Sequence, residues 1–219
     1  MMTIPVLTID GPSGAGKGTV SRAVAKRLDW HYLDSGSIYR SLAIAILEQQ
    51  IELTDVASIV TIAQAMQLEF ECGDELIVKL NAVDITASVG TETTGNAASI
   101  IAVYPQVRQI LLQKQHDFKK TPGLVADGRD MGTVVFPDAQ YKVFLTASAE
   151  ERAKRRYKQL IEKGISANLL QITQEIEARD HRDKERKTAP LVMADNALYI
   201  DSSTLPINQV IEVVLNLVR

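Results

Sequence analysis

Gly11-Pro12-Ser13-Gly14-Ala15-Gly16-Lys17-Gly18-Thr19 is the stretch from which the rest of the chain is read. An apolar, strand-like run, Ile4 to Ile9, enters it, and a helix-like run, Val20 to Leu28, leaves it. In that context the spacing Gly11-x4-Gly16-Lys17 predicts a phosphate-binding P-loop. Glycines let backbone N–H groups turn toward a ligand with no Cβ in the way. The helix N-terminus adds unpaired donors and the positive end of its dipole. Lys17 adds a full charge that reaches terminal phosphates. Together they suit a nucleoside triphosphate. The alternative, a glycine-rich turn that binds nothing, leaves the lysine, the strand and the helix unexplained. Gly18 stands where Ser or Thr usually follows the lysine, so Thr19 meets Mg²⁺ either directly or through water.

The chain has 219 residues, enough for one sizeable core with small mobile subdomains. With 46% hydrophobic and 23% charged residues it has a soluble, globular composition. A net charge of −3 does not suggest a nucleic-acid partner. Cys72 is the only cysteine, which excludes an internal disulfide and a cysteine-built zinc site. No basic segment precedes the first apolar run, and no stretch approaches the ~20 apolar residues of a membrane span. We expect a cytoplasmic monomer with no membrane partner. Basic residues concentrate in 150–187, with 11 Lys/Arg against 8 Asp/Glu, or +3 on an otherwise acidic chain. That suits an anionic small molecule, or equally a solvated helix face with i,i+4 charge pairs over 150–163.

His31-Tyr32-Leu33 reads as a strand, followed by a helix from Ile38 to Gln49 with Asp34 or Ser35 as its cap. Besides capping, Ser35 is placed to line a pocket with Tyr39 and Arg40, one turn along. Thr54 to Met66 is expected to be a helix capped by Thr54. An island of different character follows. Leu68 to Cys72 alternates, Gly73-Asp74 turns the chain, Leu76 to Leu80 returns, and Val83 to Thr86 adds a third strand. Thr91 to Ala102 and Pro105 to Lys119 are expected as helices. Arg108 lies off the apolar stripe of the second, as an exposed surface arginine would.

Leu124-Val125-Ala126 is a buried-strand run closed by Asp127-Gly128-Arg129-Asp130. An apolar strand ending in Asp matches the second P-loop element, whose carboxylate faces Mg²⁺ through water. Arg129 and Asp130 then project from the edge where open α/β sheets bind ligands. As an alternative, they form an Arg–Asp pair within the turn. Tyr141 to Leu145 is the next strand. Ser148 and Glu151 form a capping-box pattern for a helix to Lys163. From Asn168 a helical run enters Arg179-Asp180-His181-Arg182-Asp183-Lys184-Glu185-Arg186, dense in charge and lacking an apolar stripe. It is either a solvated face or a lid ordered by phosphate. His181 has no second histidine at ligand spacing and reads as an exposed lid residue. Leu198-Tyr199-Ile200 is a last strand before a closing helix with Ile207, Val210, Ile211, Val214, Leu215 and Val218 on one face. The order predicts an α/β fold: a P-loop type α/β/α sandwich with a parallel five-stranded sheet, a small antiparallel β insertion and a helical lid.

These stretches resemble the bacterial cytidylate kinases of the nucleoside monophosphate kinase family. The matching segments are 9–19, Leu33 to Arg40, Asn96 to Ser99, Ala126 to Asp138 and Arg179-Asp-x-Arg-Asp-x-x-Arg186. The resemblance implies a core of 1–34, 121–150 and 188–219. It implies a monophosphate-binding region at 35–120, with the insertion at about 68–90, and a lid at 150–187. Gly11 to Thr19 would hold the ATP phosphates. Ser35, Tyr39 and Arg40 would face the monophosphate, and Ser99, Arg108 and Asp130 would surround cytosine. Arg129 would face phosphate, with Arg179, Asp183 and Arg186 reaching in from the lid side. Lys17, Arg129, Arg179 and Arg186 would surround the phosphoryl group in flight.

The implied reaction is ATP with CMP or dCMP, giving ADP with CDP or dCDP, assisted by Mg²⁺. Two rivals stand beside it. One is an ATP-dependent kinase for UMP or AMP. The other is a nucleotide-binding switch, which should carry an Asn-Lys-x-Asp guanine-reading motif that this chain lacks.

Overall fold

The computed structural model describes residues 3–72, 76–162 and 164–219. The chain opens with β1 (Val6–Asp10) and α1 (Lys17–Leu28), then β2 (His31–Asp34) runs directly into α2 (Ser35–Glu48). After α3 (Val56–Ala65) come β3 (Leu68–Cys72), β4 (Leu76–Leu80) and β5 (Val83–Asp84), then α4 (Thr86–Val89), α5 (Glu92–Ile101) and α6 (Pro105–His116). The second half holds β6 (Leu124–Gly128), a wide π-type turn at Met131–Val135, β7 (Tyr141–Thr146), α7 (Ala149–Glu162), α8 (Leu169–Glu185), β8 (Leu198–Asp201) and α9 (Ile207–Val218).

The larger sheet is parallel, with five strands in the order β2-β6-β1-β7-β8. Every residue of β1 and β6 is buried, as strands covered on both faces of a parallel sheet must be. The register pairs Asp10 with Gly128. The phosphate loop after β1 and the Arg129-Asp130 turn after β6 therefore leave adjacent strands at the same edge. β3, β4 and β5 form the small antiparallel sheet. The expected Gly73-Asp74 turn lies outside the described residues, as does Lys163 at the expected end of α7.

By its internal contacts the chain divides into two compact units, Met1–His31 with Lys120–Arg219, and Tyr32–Lys119. In the first, Val210, Val214 and Leu215 of α9 and Val20 and Val24 of α1 are fully buried beside the strands. In the second, the core is Ile38, Leu42 and Ile46 of α2 with Ile59 of α3, Ile101 of α5 and Leu111 of α6.

Three local expectations change. Asp55, not Thr54, caps α3, its carboxylate accepting from Ser58 N at 3.1 Å and Ser58 Oγ at 2.6 Å. A carboxylate is the stronger acceptor, and one residue later it faces two donors at once. β5 stops at Asp84, because Asp84 accepts from Thr86 N at 2.9 Å and the Thr86 hydroxyl accepts from Val78 N at 3.0 Å. Those bonds curl the chain into α4. Of the capping box at α7, one half is present: Ser148 Oγ accepts from Glu151 N at 3.2 Å, while Ser148 N donates instead to Ser203 Oγ at 2.9 Å.

Candidate active site

The phosphate loop joins β1 to α1. Gly11 turns with φ 152°, and a Cβ there would stand 1.9 Å from the carbonyl oxygen of Leu145. Gly14 lies against Arg152, whose own Cβ a side chain would meet at 3.2 Å. Gly16 is the N-cap of α1 at φ 95°, and no side-chain hydrogen bond caps that helix. Lys17, only 6% exposed, donates from Nζ to Pro12 O at 2.9 Å.

The loop carbonyls are held from behind. Ser13 O accepts from Arg152 Nη1 at 2.9 Å. Ala15 O accepts from Ser202 Oγ at 3.2 Å and Arg155 Nη1 at 3.5 Å. The Arg155 guanidinium also donates to Ser202 O at 2.5 Å.

Charges gather around this loop. Lys17 is pushed down to about 7, by burial first and then by nearby Arg129 and Arg179, against the pull of Asp127 and Asp10. Three cations converge here, Lys17 offset by Asp127 and Asp10, and Arg129 by Asp183, Asp127 and Asp180. Arg129 does not pair with its neighbour Asp130. Its Nε donates to Asp183 Oδ2 at 2.7 Å, which replaces the turn pair with a long-range one. Burial opposes the charged form of Asp183, but Arg129, Arg179 and Arg186 together hold it below the usual carboxylate range. Asp130 faces Arg186 instead, with Oδ1 3.6 Å from Nη2 and both side chains buried. Arg179 Nη1 donates to the Ser13 hydroxyl at 3.1 Å. Lys17, Arg129, Asp130, Arg179, Asp183 and Arg186 thus form one linked group in the first unit.

The other expected residues lie in the second unit. Asp34 is the cap of α2, accepting from Ser37 N at 3.0 Å. Ser35 is therefore left as the first helical residue, and its hydroxyl donates to Gln115 Oε1 at 2.7 Å. Arg40 Nη1 donates to Val89 O at 2.5 Å and Thr91 O at 3.2 Å, and its guanidinium sits where a side chain at position 95 would be. Arg108 is 8% exposed, not a surface charge: Nη1 donates to Ala102 O at 3.2 Å, and the guanidinium lies 5.7 Å from the centre of the Tyr39 ring. Ser99 is buried on α5.

Some residues the sequence reading passed over. Asp10 is buried, accepts from Met131 N and Gly132 N at 2.8 Å each, and is pushed up to about 6 by burial, with Asp130 adding to the effect. Its only signal was a carboxylate at the end of an apolar run. Arg152 and Arg155 belong to a segment that also reads as a solvated face. That face exists, with Lys154 3.0 Å from Glu151 and 2.7 Å from Glu150, but it is only one side of α7.

The family model for cytidylate kinase matches residues 7–219. Over 217 residues the chain is 56% identical to a cytidylate kinase of Methylococcus capsulatus, covering 99% of this chain and 98% of that one. It is 52% identical over 212 residues to a cytidylate kinase of Aeromonas salmonicida, covering 96% and 92%. A solved structure of an uncharacterised protein from Eubacterium ventriosum superposes with a TM-score of 0.50 at 11% identity, covering 97% and 96%, a likeness of fold alone.

Proposed function

The chain belongs to the cytidylate kinase family, and we propose how its residues share the transfer of the γ-phosphoryl group of ATP to CMP or dCMP. The observation that carries this reading is the convergence of Lys17, Arg129 and Arg179 beside the loop, where burial and the two arginines disfavour the charged form of Lys17 until anionic phosphate arrives. The monophosphate oxygen is already anionic, so no general base is needed. Catalysis is positioning and charge stabilisation. Gly11 to Thr19 bind the ATP phosphates, while Lys17, Arg129, Arg179 and Arg186 stabilise the group in flight. Ser35, Tyr39 and Arg40 face the acceptor phosphate, Asp183 orients Arg129, and Ser99 supports the base-reading residues.

No cluster of three or more potential ligands occurs among the described residues. Mg²⁺ nonetheless fits, because it is usually held by one or two carboxylates together with substrate phosphates. Asp127, buried and near Lys17, would hold it, with Thr19 following the loop. When bound it neutralises charge on the β- and γ-phosphates. We place the protein in the cytoplasm as a monomer. The single cysteine supports that compartment, and no helix among the described residues is long and apolar enough to cross a membrane.

For the base, we propose that Asp130 accepts from the cytosine amino group and Arg108 donates to its bare ring nitrogen. Uracil offers a carbonyl and an N–H at those places, so each pairing fails. Each unpaired group costs about 1–3 kcal/mol, roughly a 5- to 150-fold preference. Initial rates with ATP against CMP, dCMP, UMP and AMP test the function. CMP and dCMP should lead, and slow hydrolysis indifferent to acceptor would reject it. In Asp130→Ala the CMP-over-UMP ratio should fall, chiefly through lost activity on CMP. If Asp130 only braces Arg186, the ratio stays put while stability drops.

The stretch 150–187 we propose as the lid. On α8 the buried side chains are Ile172 and Asp183, so ion pairs hold this helix more than apolar packing does. Phosphates compete for the same arginines and order the segment around substrate. Amide exchange across 169–187 should slow on adding a non-hydrolysable ATP analogue with CMP. Identical exchange with and without ligands counts against a lid.

A further inference from the structure

Building on the phosphoryl-transfer reading, we propose that Arg152 is a positioning residue that holds the phosphate loop and α8 in one geometry for transfer. Its guanidinium serves three acceptors. Nε donates to Ala147 O at 2.9 Å, just past β7. Nη1 donates to Ser13 O at 2.9 Å and Asp180 Oδ1 at 3.1 Å, and Nη2 donates to Asp180 Oδ2 at 2.5 Å. The side chain is 3% exposed and Asp180's is 14% exposed, so water does little to screen the pair. With its fork committed to Asp180 and the loop, Arg152 has no parallel donor pair left for a phosphate. Its influence on the reaction therefore passes through the groups it holds.

What it holds matters because a peptide unit is planar and trans. Pinning Ser13 O on the Arg152 side aims the next N–H, that of Gly14, the opposite way. Ala15 O, held by Ser202 and Arg155, aims the N–H of Gly16 by the same rule. Gly14 lacks the Cβ that would stand 3.2 Å from Arg152 Cβ, which lets the two backbones approach. Ser13 is gripped a second time from α8, through Arg179 Nη1 on its hydroxyl at 3.1 Å. Arg179 and Asp180 are neighbours on that helix. Loop and helix thus share one residue held at its carbonyl and its hydroxyl, and loosening Arg152 releases the loop N–H groups and Arg179 together.

The test is steady-state kinetics on Arg152→Met, Arg152→Lys and Asp180→Asn, each with a thermal midpoint. Folded Arg152→Met should lose about 10²-fold in kcat, the scale of a small misplacement at a reacting centre, with KM for CMP unchanged. Arg152→Lys should not restore kcat, since a single ammonium cannot span both Ser13 O and the Asp180 carboxylate. Asp180→Asn, which keeps size and one acceptor, should fall between wild type and Arg152→Met. It decides the matter alone if Arg152→Met does not fold. A purely structural brace predicts lower midpoints with normal kcat at saturating nucleotides, or full rescue by lysine, and either result overturns the proposal. Normal kcat in the variants beside an active wild type rejects only this inference, whereas a wild type inert towards CMP removes the underlying reading with it.

Discussion

Lys17→Ala should leave a folded protein whose turnover with ATP and CMP falls by about 10²-fold or more, the cost of removing one preorganised charge from the transition state. The fold should survive because Lys17 adds strain to its surroundings: its ammonium sits among Arg129 and Arg179, and its removal relieves that repulsion. A proton signature accompanies the loss. Burial and those arginines bring Lys17 to about 7 before nucleotide binds. Phosphates favour the charged form and raise that value, so ATP binding at about pH 8 should draw a proton from solution. Titration calorimetry in two buffers of different ionisation heat measures that uptake, which Lys17→Ala should abolish. Wild-type turnover at an unchanged midpoint, or undiminished proton uptake, would refute the assignment.

Gly11→Ala should cripple folding rather than catalysis. The new Cβ would lie 1.9 Å from the Leu145 carbonyl oxygen, inside any contact distance, at a φ of 152° that L-residues avoid. Neither side yields cheaply, because β1 and β7 pair along Leu7–Asp10 in the middle of the parallel sheet. Strain and overpacking together cost on the order of 3–5 kcal/mol, a large share of a domain's stability. Gly164→Ala is the control. It too has positive φ, 72°, but its Cβ would meet nothing within 4 Å, so it should lose only about 1–2 kcal/mol. Urea midpoints compare the two, and equal losses would show that the contact with Leu145 is not what decides.

The phosphate loop, the parallel five-stranded sheet and the β insertion were legible because each rests on local pattern, the sheet through its alternation of strands and helices. Gly11 to Lys17 carries its meaning in spacing, β3 alternates with period two before β4 returns as an apolar run, and an apolar face of α9 shows from Ile207 to Val218. The segments 126–138 and 179–186 similarly carry enough unusual residues in fixed order to point to a family. Caps slipped by one residue at α3, where Thr54 and Asp55 compete for the same donors and only backbone geometry chooses.

The pairing of the buried charges was decided by tertiary structure. Sequence placed Arg129 beside Asp130, yet Arg129 reaches 54 residues along to Asp183, while Asp130 faces Arg186. Arg152 read as one more charge on a solvated helix until Ser13 O and Asp180 closed around it. Arg108, off the apolar stripe of α6, is buried against Tyr39. Helical and strand periods report which side of an element is apolar, and that much is local. A charge goes inside only where a counter-charge or carbonyl from elsewhere in the chain offsets its desolvation, so the partner is known only after the chain has folded.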